Sequence, residues 1–550
     1  MTANPIVAKI LALRGVSAAE VGEFLEPSLA GLADPCGLPG ISEAAEAILP
    51  FVAARRPIAV FGDYDCDGVS ATAILVLALR RLGAVVEPFV PERLAEGYGM
   101  SEASVARLLR EQPDVALVIT VDNGINSADC VRRLKEKGVA VVITDHHLPG
   151  AELPAADALV DPKVAAPRQF EDLCGAGVAF LLARRLVTRA KETGLYTGGP
   201  VGGPLLVLAG LATVTDIMPL LGQNRILVAE ALRRFPTLAP IGLWELYQRA
   251  ARNCNDALTS RDFGFLLGPR INAVGRLDSG MKALDLVLEP DRETARRKAV
   301  EIDLFNVKRK EIEQQMTEKA MELVVRGAAA QVIDLPDGHP GVAGIVAARV
   351  LERLADDPSG TGPVPVCVIA GGHGSARAPE GINIRDAFEA CSDVLLRFGG
   401  HAAAAGFAVA EGKTDEFRSR LCAYCESLAD ASAVRRSPLD AVELWLEPKD
   451  LTLDLAEELR RLEPFGEGNP VPVFGLRGVR FSDVRPFGTD GRHVQFAFRD
   501  RTVPRAVWWN HGGLVERLRG ESAAPHDLAF TLEVSDYGGA HVELRVENVV

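Results

Sequence analysis

The sequence predicts an α/β protein. A parallel-sheet domain is followed by a long connecting helix, a second α/β domain and a C-terminal β-barrel. Three observations carry this prediction. Short continuous apolar runs alternate with amphipathic stretches between about residues 55 and 160, the pattern of parallel strands covered on both faces by helices. Residues 290–325 are charged and free of internal Gly or Pro, which predicts one exposed helix. From about residue 440 the pattern changes to short alternating segments separated by Gly and Asp turns, the mark of a small antiparallel barrel.

In chain order, residues 1–54 predict a helical cap: KILALRG, SAAEVGEFLEP, then ISEAAEAILPFVAARR. Residues 55–289 form the first α/β domain. Its apolar runs are IAVFG (58–62), VALVITV (115–121), VAVVIT (139–144) and a weaker ALV (158–160). Helical stretches such as SATAILVLALRRLG and SADCVRRLKEKG lie between them. GLYTGGPVGGP (194–204) predicts a loop. After the connecting helix, residues 326–432 hold GVAGIVAARVLERLAD, the strand-like VPVCVIA and the Gly-rich GGHGSARAPEG, read as a loop. Residues 440–550 form the barrel.

A chain of 550 residues has material for three or four domains. The net charge of −14 excludes a uniformly basic nucleic-acid surface but leaves room for a local basic groove. No run of about 18 uninterrupted apolar residues appears, so no membrane partner is expected. The stretch MTANPIVAKILALRG lacks the basic segment and cleavage site of a signal peptide, and a cytoplasmic protein is expected. The nine cysteines are scattered and odd in number, which suits reduced core thiols. Cys422 and Cys425 have CxxC spacing without a second pair, and two helix-face cysteines are the simpler reading.

The chemistry concentrates where apolar runs end. The first run leads into GDYDCDG, with Asp63, Asp65 and Asp67 alternating. Carboxylates so close repel one another, and a cation compensates. An EF-hand calcium loop also begins D-x-D-x-D-G, but its twelfth position must be Glu. Here that position is Ile74, and a strand precedes the motif instead of a helix. The better reading is a catalytic metal site at the carboxyl ends of parallel strands, where open α/β sheets form a crevice. VALVITVDNG puts Asp122 past its run, VVITDHHLPG adds Asp145, His146 and His147, and LAGLATVTDIMPL adds Asp216. Any one of these residues could be a helix cap or turn residue; four segments together point to a metal. Oxygen-rich ligands with one or two imidazoles suit Mn²⁺ or Mg²⁺. The donors suffice for two ions sharing one bridging carboxylate, an arrangement suited to phosphoryl displacement.

GDYDCDG, VDNG, TDHH and VTDIMP resemble the four motifs of the DHH phosphoesterase superfamily. RLAEGYGM (93–100), GPRINAVGRL (268–277), HPGVAGIVAAR (339–349), the Ser375/Arg377 segment, FGGHAAAAGF (398–407) and PFGEGNPVPVF (464–474) resemble its RecJ exonuclease family. The resemblance implies a DHH catalytic domain, a DHHA1-type second domain and an OB-fold barrel. It implies a metal-dependent 5′→3′ exonuclease acting on single-stranded DNA in recombination and repair. A single-strand-binding protein and a helicase are the implied protein partners.

Residue by residue, the resemblance implies that Asp63, Asp65 and Asp67 are ligands or near-ligands, Asp122 bridges two ions, and His146 and Asp216 are ligands. His147 would act on the scissile phosphate, the alternative being a hydrogen-bonded structural histidine. Asp145 would orient an imidazole. Arg93, Arg270, Asn272, Arg276, Ser375 and Arg377 would bind substrate phosphate, the last two cradling a 5′ end. The alternative for any one arginine is an ion pair. His401 is placed on the substrate side. The phosphate segment departs from the family at Ala378, where a small polar residue is more usual, and at His373. Of Trp508 and Trp509, at most one could stack on a base, because neighbours on a strand face opposite ways. Two other readings are a phosphodiesterase for short oligonucleotides or RNA, disfavoured by the length and the barrel, and a non-catalytic scaffold, disfavoured by the intact motifs.

Overall fold

The computed structural model describes residues 4–97, 99–165, 167–199, 202–251, 257–355, 362–429, 439–535 and 540–550. Tyr98, residues 200–201 of the predicted loop, residues 536–539 and the boundary at 432 lie outside the described residues.

The first sheet holds β1 (Ile58–Phe61), β2 (Val86–Phe89), β3 (Leu117–Val121), β4 (Ala140–Thr144) and β5 (Ala158–Val160). All four pairings are parallel, in the order β2-β1-β3-β4-β5. The chain leaves β1 in one direction for β2 and returns on its other side for β3. The order therefore reverses beside β1, and the carboxyl ends of β1 and β3 flank the crevice such sheets use for ligands. Alternate residues of β1 feed separate cores: Ile58 and Val60 face the helices Cys66–Arg81 and Gly175–Glu192, while Ala59 and Phe61 face Glu102–Glu111 and Ala128–Glu136. Burial on both faces explains the unbroken apolar runs.

The Cys66–Arg81 helix starts inside the acidic motif. Asp65 is its N-cap and accepts the Gly68 N–H, Asp67 lies in its first turn, and Arg80 and Arg81 close its last turn. Both ends thus suit the helix dipole. Ile74, the position that disposes of the calcium-loop reading, is buried in this helix.

The connecting helix spans Arg292–Glu322, 31 residues, or about 46 Å of axis. It leads to the second sheet: β6 (Gln331–Leu335), β7 (Val366–Ala370), β8 (His373–Arg377), β9 (Leu395–Gly400) and β10 (Ala404–Val409), in the order β6-β7-β8-β10-β9. Only β6 and β7 pair in parallel, across the Ala343–Ala355 helix.

The C-terminal unit holds β11 (Leu444–Trp445), β12 (Phe474–Val479), β13 (Phe481–Phe487), β14 (His493–Phe498), β15 (Ala506–Trp508), β16 (His526–Ser535) and β17 (His541–Val549), in the order β11-β12-β16-β17-β15-β14-β13. The N-terminal helices divide between two cores. Val7, Ile10, Leu11 and Leu25 pack with Leu455, Phe474 and Phe530 of the C-terminal unit, whereas Ile41, Ala45 and Ile48 pack on the first sheet. Arg14 fastens the former contact, donating to both oxygens of Glu443 at 3.0 and 2.7 Å. Among the described residues, no helix is long and apolar enough to cross a membrane.

The structure departs from the sequence reading at four places. The edge strand β2 is unforeseen, because VEPF carries an exposed Glu87 and a Pro that only an edge tolerates. Asp216 ends the Gly203–Thr215 helix and not a strand. That helix is buried on nearly every side, so its periodicity is erased. Ser375 and Arg377 lie on β8 and not in a loop. Gly371 and Gly372, at φ 53° and 78°, form a tight turn that folds β8 back onto β7. The C-terminal sheet is mixed: β11 pairs in parallel with β12 and β15 with β17.

Candidate metal centre

The ends of β1, β3 and β4 and the end of the Gly203–Thr215 helix converge on one acidic pocket. His146 Nε2 lies 3.0 Å from Asp122 Oδ1, 3.6 Å from Asp67 Oδ2 and 3.7 Å from Asp216 Oδ2. Three donor groups form within this space, each with atoms no more than 4.8 Å apart: Asp63, Asp65 and Asp122; Asp67, His146 and Asp216; and Asp122, His146 and His147. Asp122 belongs to two groups, and so does His146.

Asp67 and Asp122 are held by local structure. Asp67 accepts the N–H of Gly175 at 2.7 Å and of Ala176 at 2.8 Å, so it caps the Gly175–Glu192 helix. Asp122 stands at φ 60°. A non-glycine residue there carries strain of about 1–3 kcal/mol, which persists at sites where the surroundings enforce it. Gly175 lets the helix end approach this residue: a Cβ at Gly175 would lie 2.6 Å from the Asp122 Cβ. Ile217, directly after Asp216, is also left-handed at φ 58°.

The electrostatics favour a cation. Burial raises the Asp122 carboxyl well above its ordinary value, and Asp67, Asp65, Asp63 and Asp216 raise it further. Burial and Asp65 do the same to Asp63. Burial, then Asp67 and Asp65, push Asp216 up to about 9. Burial also raises Asp67, although the His146 imidazole opposes it. Burial lowers His146, keeping it neutral and its lone pair available. Among the described residues, neither Asp63 oxygen nor His146 Nε2 has a well-formed hydrogen bond. Buried acceptors set this close to one another suit a divalent cation, and this donor set suits Mn²⁺ or Mg²⁺.

Beside the pocket, Asp145 holds the other imidazole. Its Oδ1 accepts the backbone N–H of His146 at 2.7 Å and of His147 at 3.2 Å, and lies 2.7 Å from His147 Nδ1. Its Oδ2 accepts the Ile125 N–H at 2.9 Å. Burial opposes the charge on both partners. The bond nevertheless raises His147 to about 9 and keeps Asp145 below its usual range. A carboxylate only accepts, so Nδ1 carries the proton of this bond. Asp161 escaped the sequence reading. It is buried just past β5, and burial pushes its carboxyl to about 7, with Asp145 adding to the rise. The strand-end pattern was the available signal, masked by the shortness of ALV.

The basic residues separate into two kinds. Arg93, Arg276 and Arg377 form one electrostatic cluster. Burial and Arg93 lower both Arg276, to about 10, and Arg377. Arg276 donates to Gly341 O at 3.2 Å, joining the first domain to the second. Arg93 lies over the Tyr64 ring at 5.1 Å. Ser375 Oγ and the Arg377 guanidinium both border Gly344 of the Ala343–Ala355 helix. Arg270 and Asn272, in contrast, engage protein groups. Arg270 pairs with Asp303 at 2.9 Å and donates to Leu266 O at 2.9 Å. The Asn272 amide oxygen accepts the Cys66 N–H at 2.7 Å, bracing the acidic motif. His401 sits on the exposed β9–β10 turn. Trp508 is buried, while Trp509 is 40% exposed with Phe487 and His493 against its ring.

Comparison with known proteins matches three family models: the DHH family N-terminal domain over residues 57–198, the DHHA1 domain over 327–427 and the RecJ OB domain over 442–548. The single-stranded-DNA-specific exonuclease RecJ of Thermus thermophilus is 39% identical over 521 residues, covering 94% of this chain and 72% of that protein. The Escherichia coli protein of that name is 34% identical over 580 residues, covering 99% and 96%. The chain spans 64% of the length of the Bacillus subtilis relative, at 34% identity. Among solved structures, Thermus thermophilus RecJ in complex with Mn²⁺ superposes with a TM-score of 0.84 at 34% identity, covering 100% of this chain and 76% of that one. A manganese-bound exonuclease RecJ gives 0.63 at 38% identity, covering 74% and 99%.

Proposed function

The chain belongs to the RecJ family of single-stranded-DNA-specific exonucleases, and we propose that it acts as one. It hydrolyses phosphodiester bonds from the 5′ end of single-stranded DNA and releases mononucleotides, in recombination and repair. The carrying observation is the shared membership of Asp122 and His146 in adjoining donor groups, with the Asp145–His147 pair at their edge. The functional units are residues 55–289, 326–432 and 440–550, and the cleft between the first two takes the strand.

Asp63, Asp65, Asp67, Asp122, His146 and Asp216 would hold two ions of Mn²⁺ or Mg²⁺. Bound there, the ions would supply Lewis-acid polarisation of the phosphoryl group and of water. The chain's own residues do the rest. Asp145 fixes the His147 ring and keeps it cationic, so His147 presents Nε2–H to a phosphate oxygen and stabilises charge that develops there. Arg93, Arg276, Arg377 and Ser375 receive the terminal 5′-phosphate, which sets polarity. Arg270 and Asn272 keep the phosphate-side helix and the acidic motif in register. A cytoplasmic location, a single-strand-binding protein and a helicase accompany this reading.

A 5′-phosphorylated single strand labelled at either end, incubated with Mn²⁺ or Mg²⁺, tests the proposal. Progressive loss from the 5′ end supports it. Equal loss from the 3′ end, or activity in chelator, sinks it.

A further inference from the structure

We propose that the loop 463–470 of the C-terminal unit positions Asp216, and that Arg225 anchors this loop; the inference rests on Asp216 being a metal ligand. The starting point is Ile217. A β-branched residue at φ 58° relaxes to negative φ unless both of its flanks are held. The preceding helix holds one flank, with Ile217 N–H donating to Val214 O at 3.2 Å and Met218 N–H to Thr213 O at 3.1 Å.

The other flank is held from the far end of the chain. Leu220 N–H donates to Glu467 O at 2.8 Å. Gly468 packs on Pro219 and Leu221, where a Cβ would lie 3.3 Å from each side chain, and Gly466 packs on Leu220, where it would lie 2.7 Å away. The loop is closed on itself by Asn469, whose amide donates to Leu462 O at 2.8 Å and Pro464 O at 2.9 Å. Ser260 Oγ donates to Phe465 O.

Arg225 stands in the first turn of the helix Gly222–Leu238 and is 2% exposed. It donates to Glu463 O at 2.8 Å, Pro464 O at 3.4 Å, Arg461 O at 3.5 Å and Phe24 O at 2.8 Å, and its guanidinium lies 3.8 Å from the centre of the Phe24 ring. These acceptors are backbone carbonyls. A planar fork reaches several of them at once. Without it, buried carbonyls lose their donor and the loop has reason to lift. Leu220 and Leu221 are then released, Ile217 relaxes, and the Asp216 carboxylate turns out of the pocket. Arg225 is thus a positioning residue that acts through the loop, and the C-terminal unit sets metal affinity without touching the metal.

The test is a direct Mn²⁺ titration of the full chain, following free Mn²⁺ by electron paramagnetic resonance. The parent is compared with Gly466→Val, which crowds Leu220, and with Arg225→Met. Melting in chelator reports the fold. Mn²⁺ binding weakened about tenfold in both variants, with the chelator melt of Gly466→Val unchanged, is the expected result. Should Arg225→Met fail to fold, Gly466→Val decides alone. Parental Mn²⁺ affinity in the folded variants overturns the proposal. A parent that binds Mn²⁺ but does not degrade 5′-phosphorylated single strands would overturn the nuclease reading instead, while the affinity comparison still decides this one.

Discussion

The Oδ1 of Asp145 and the Nδ1 of His147 stand 2.7 Å apart, and two backbone N–H groups converge on the same oxygen. Those donors hold its carboxyl below the usual range, and the bond raises the neighbouring imidazole. Asp145→Asn removes the charge but not the shape. Its cleavage rate should fall about 10–100-fold, the usual loss when an orienting partner is removed. Single-turnover cleavage checks this, and a parental rate would show that His147 needs no such partner.

Asp122→Ala should lose more, at least about 10²-fold in cleavage, because it removes a donor and not an orienter. Its fold should survive. In chelator the variant should melt above the parent, since a buried carboxylate surrounded by four others is removed. Retained cleavage would refute the assignment of Asp122.

Metal-free stability should depend on pH in an unusual direction. Asp216 titrates at about 9 in the fold and near the ordinary value of about 3.9 when unfolded. The folded state is then the better proton binder. Its contribution is full below about pH 4 and is lost as pH rises through about 9. The melting temperature in chelator should therefore drop between pH 5 and 9, and added Mn²⁺ should restore most at the alkaline end. A metal-free melt that rises over this range would contradict the carboxylate arrangement.

Arg377→Ala should lose preference for a 5′-phosphate over a 5′-hydroxyl by about tenfold or more, the worth of one charged hydrogen bond at about 1.5–3 kcal/mol. Cleavage of 5′-hydroxyl strands should change little. Competition between the two ends measures it, and an unaltered ratio would remove Arg377 from the pocket.

The two tryptophans should separate cleanly. Trp509→Ala should weaken single-strand binding by about 1–3 kcal/mol, the value of one stacked base, at unchanged stability. Trp508→Ala should cost about 3–5 kcal/mol of stability instead. Fluorescence binding and denaturant melts distinguish them; equal effects of both on binding would argue against Trp509 as the platform.

The acidic pocket was legible because parallel strands announce themselves as unbroken apolar runs, and the residues that follow are forced into one crevice. The clustering of Asp122, His146 and Asp145 was readable that way. Asp216 was found for an inexact reason, since a helix buried on nearly every side reads like a strand. Arg270 and Asn272 have partners that the sequence withholds. Both stand in a phosphate-side motif, yet their partners, Asp303 and the Cys66 N–H, are set by packing between distant segments. Composition cannot distinguish an arginine awaiting phosphate from one already paired. The partner of the N-terminal helices was equally hidden, because amphipathicity states that a face is covered but not by what.

The packing of Val7, Ile10 and Leu11 against Leu455 and Phe474 also bears on how the chain is made. At a synthesis rate of about 5–20 residues per second, the first helix waits roughly 20–90 s for its partner to leave the ribosome. For that interval its apolar face has no native cover, while the parallel sheet between them can close by itself. These helices are therefore synthesised long before the residues that bury them.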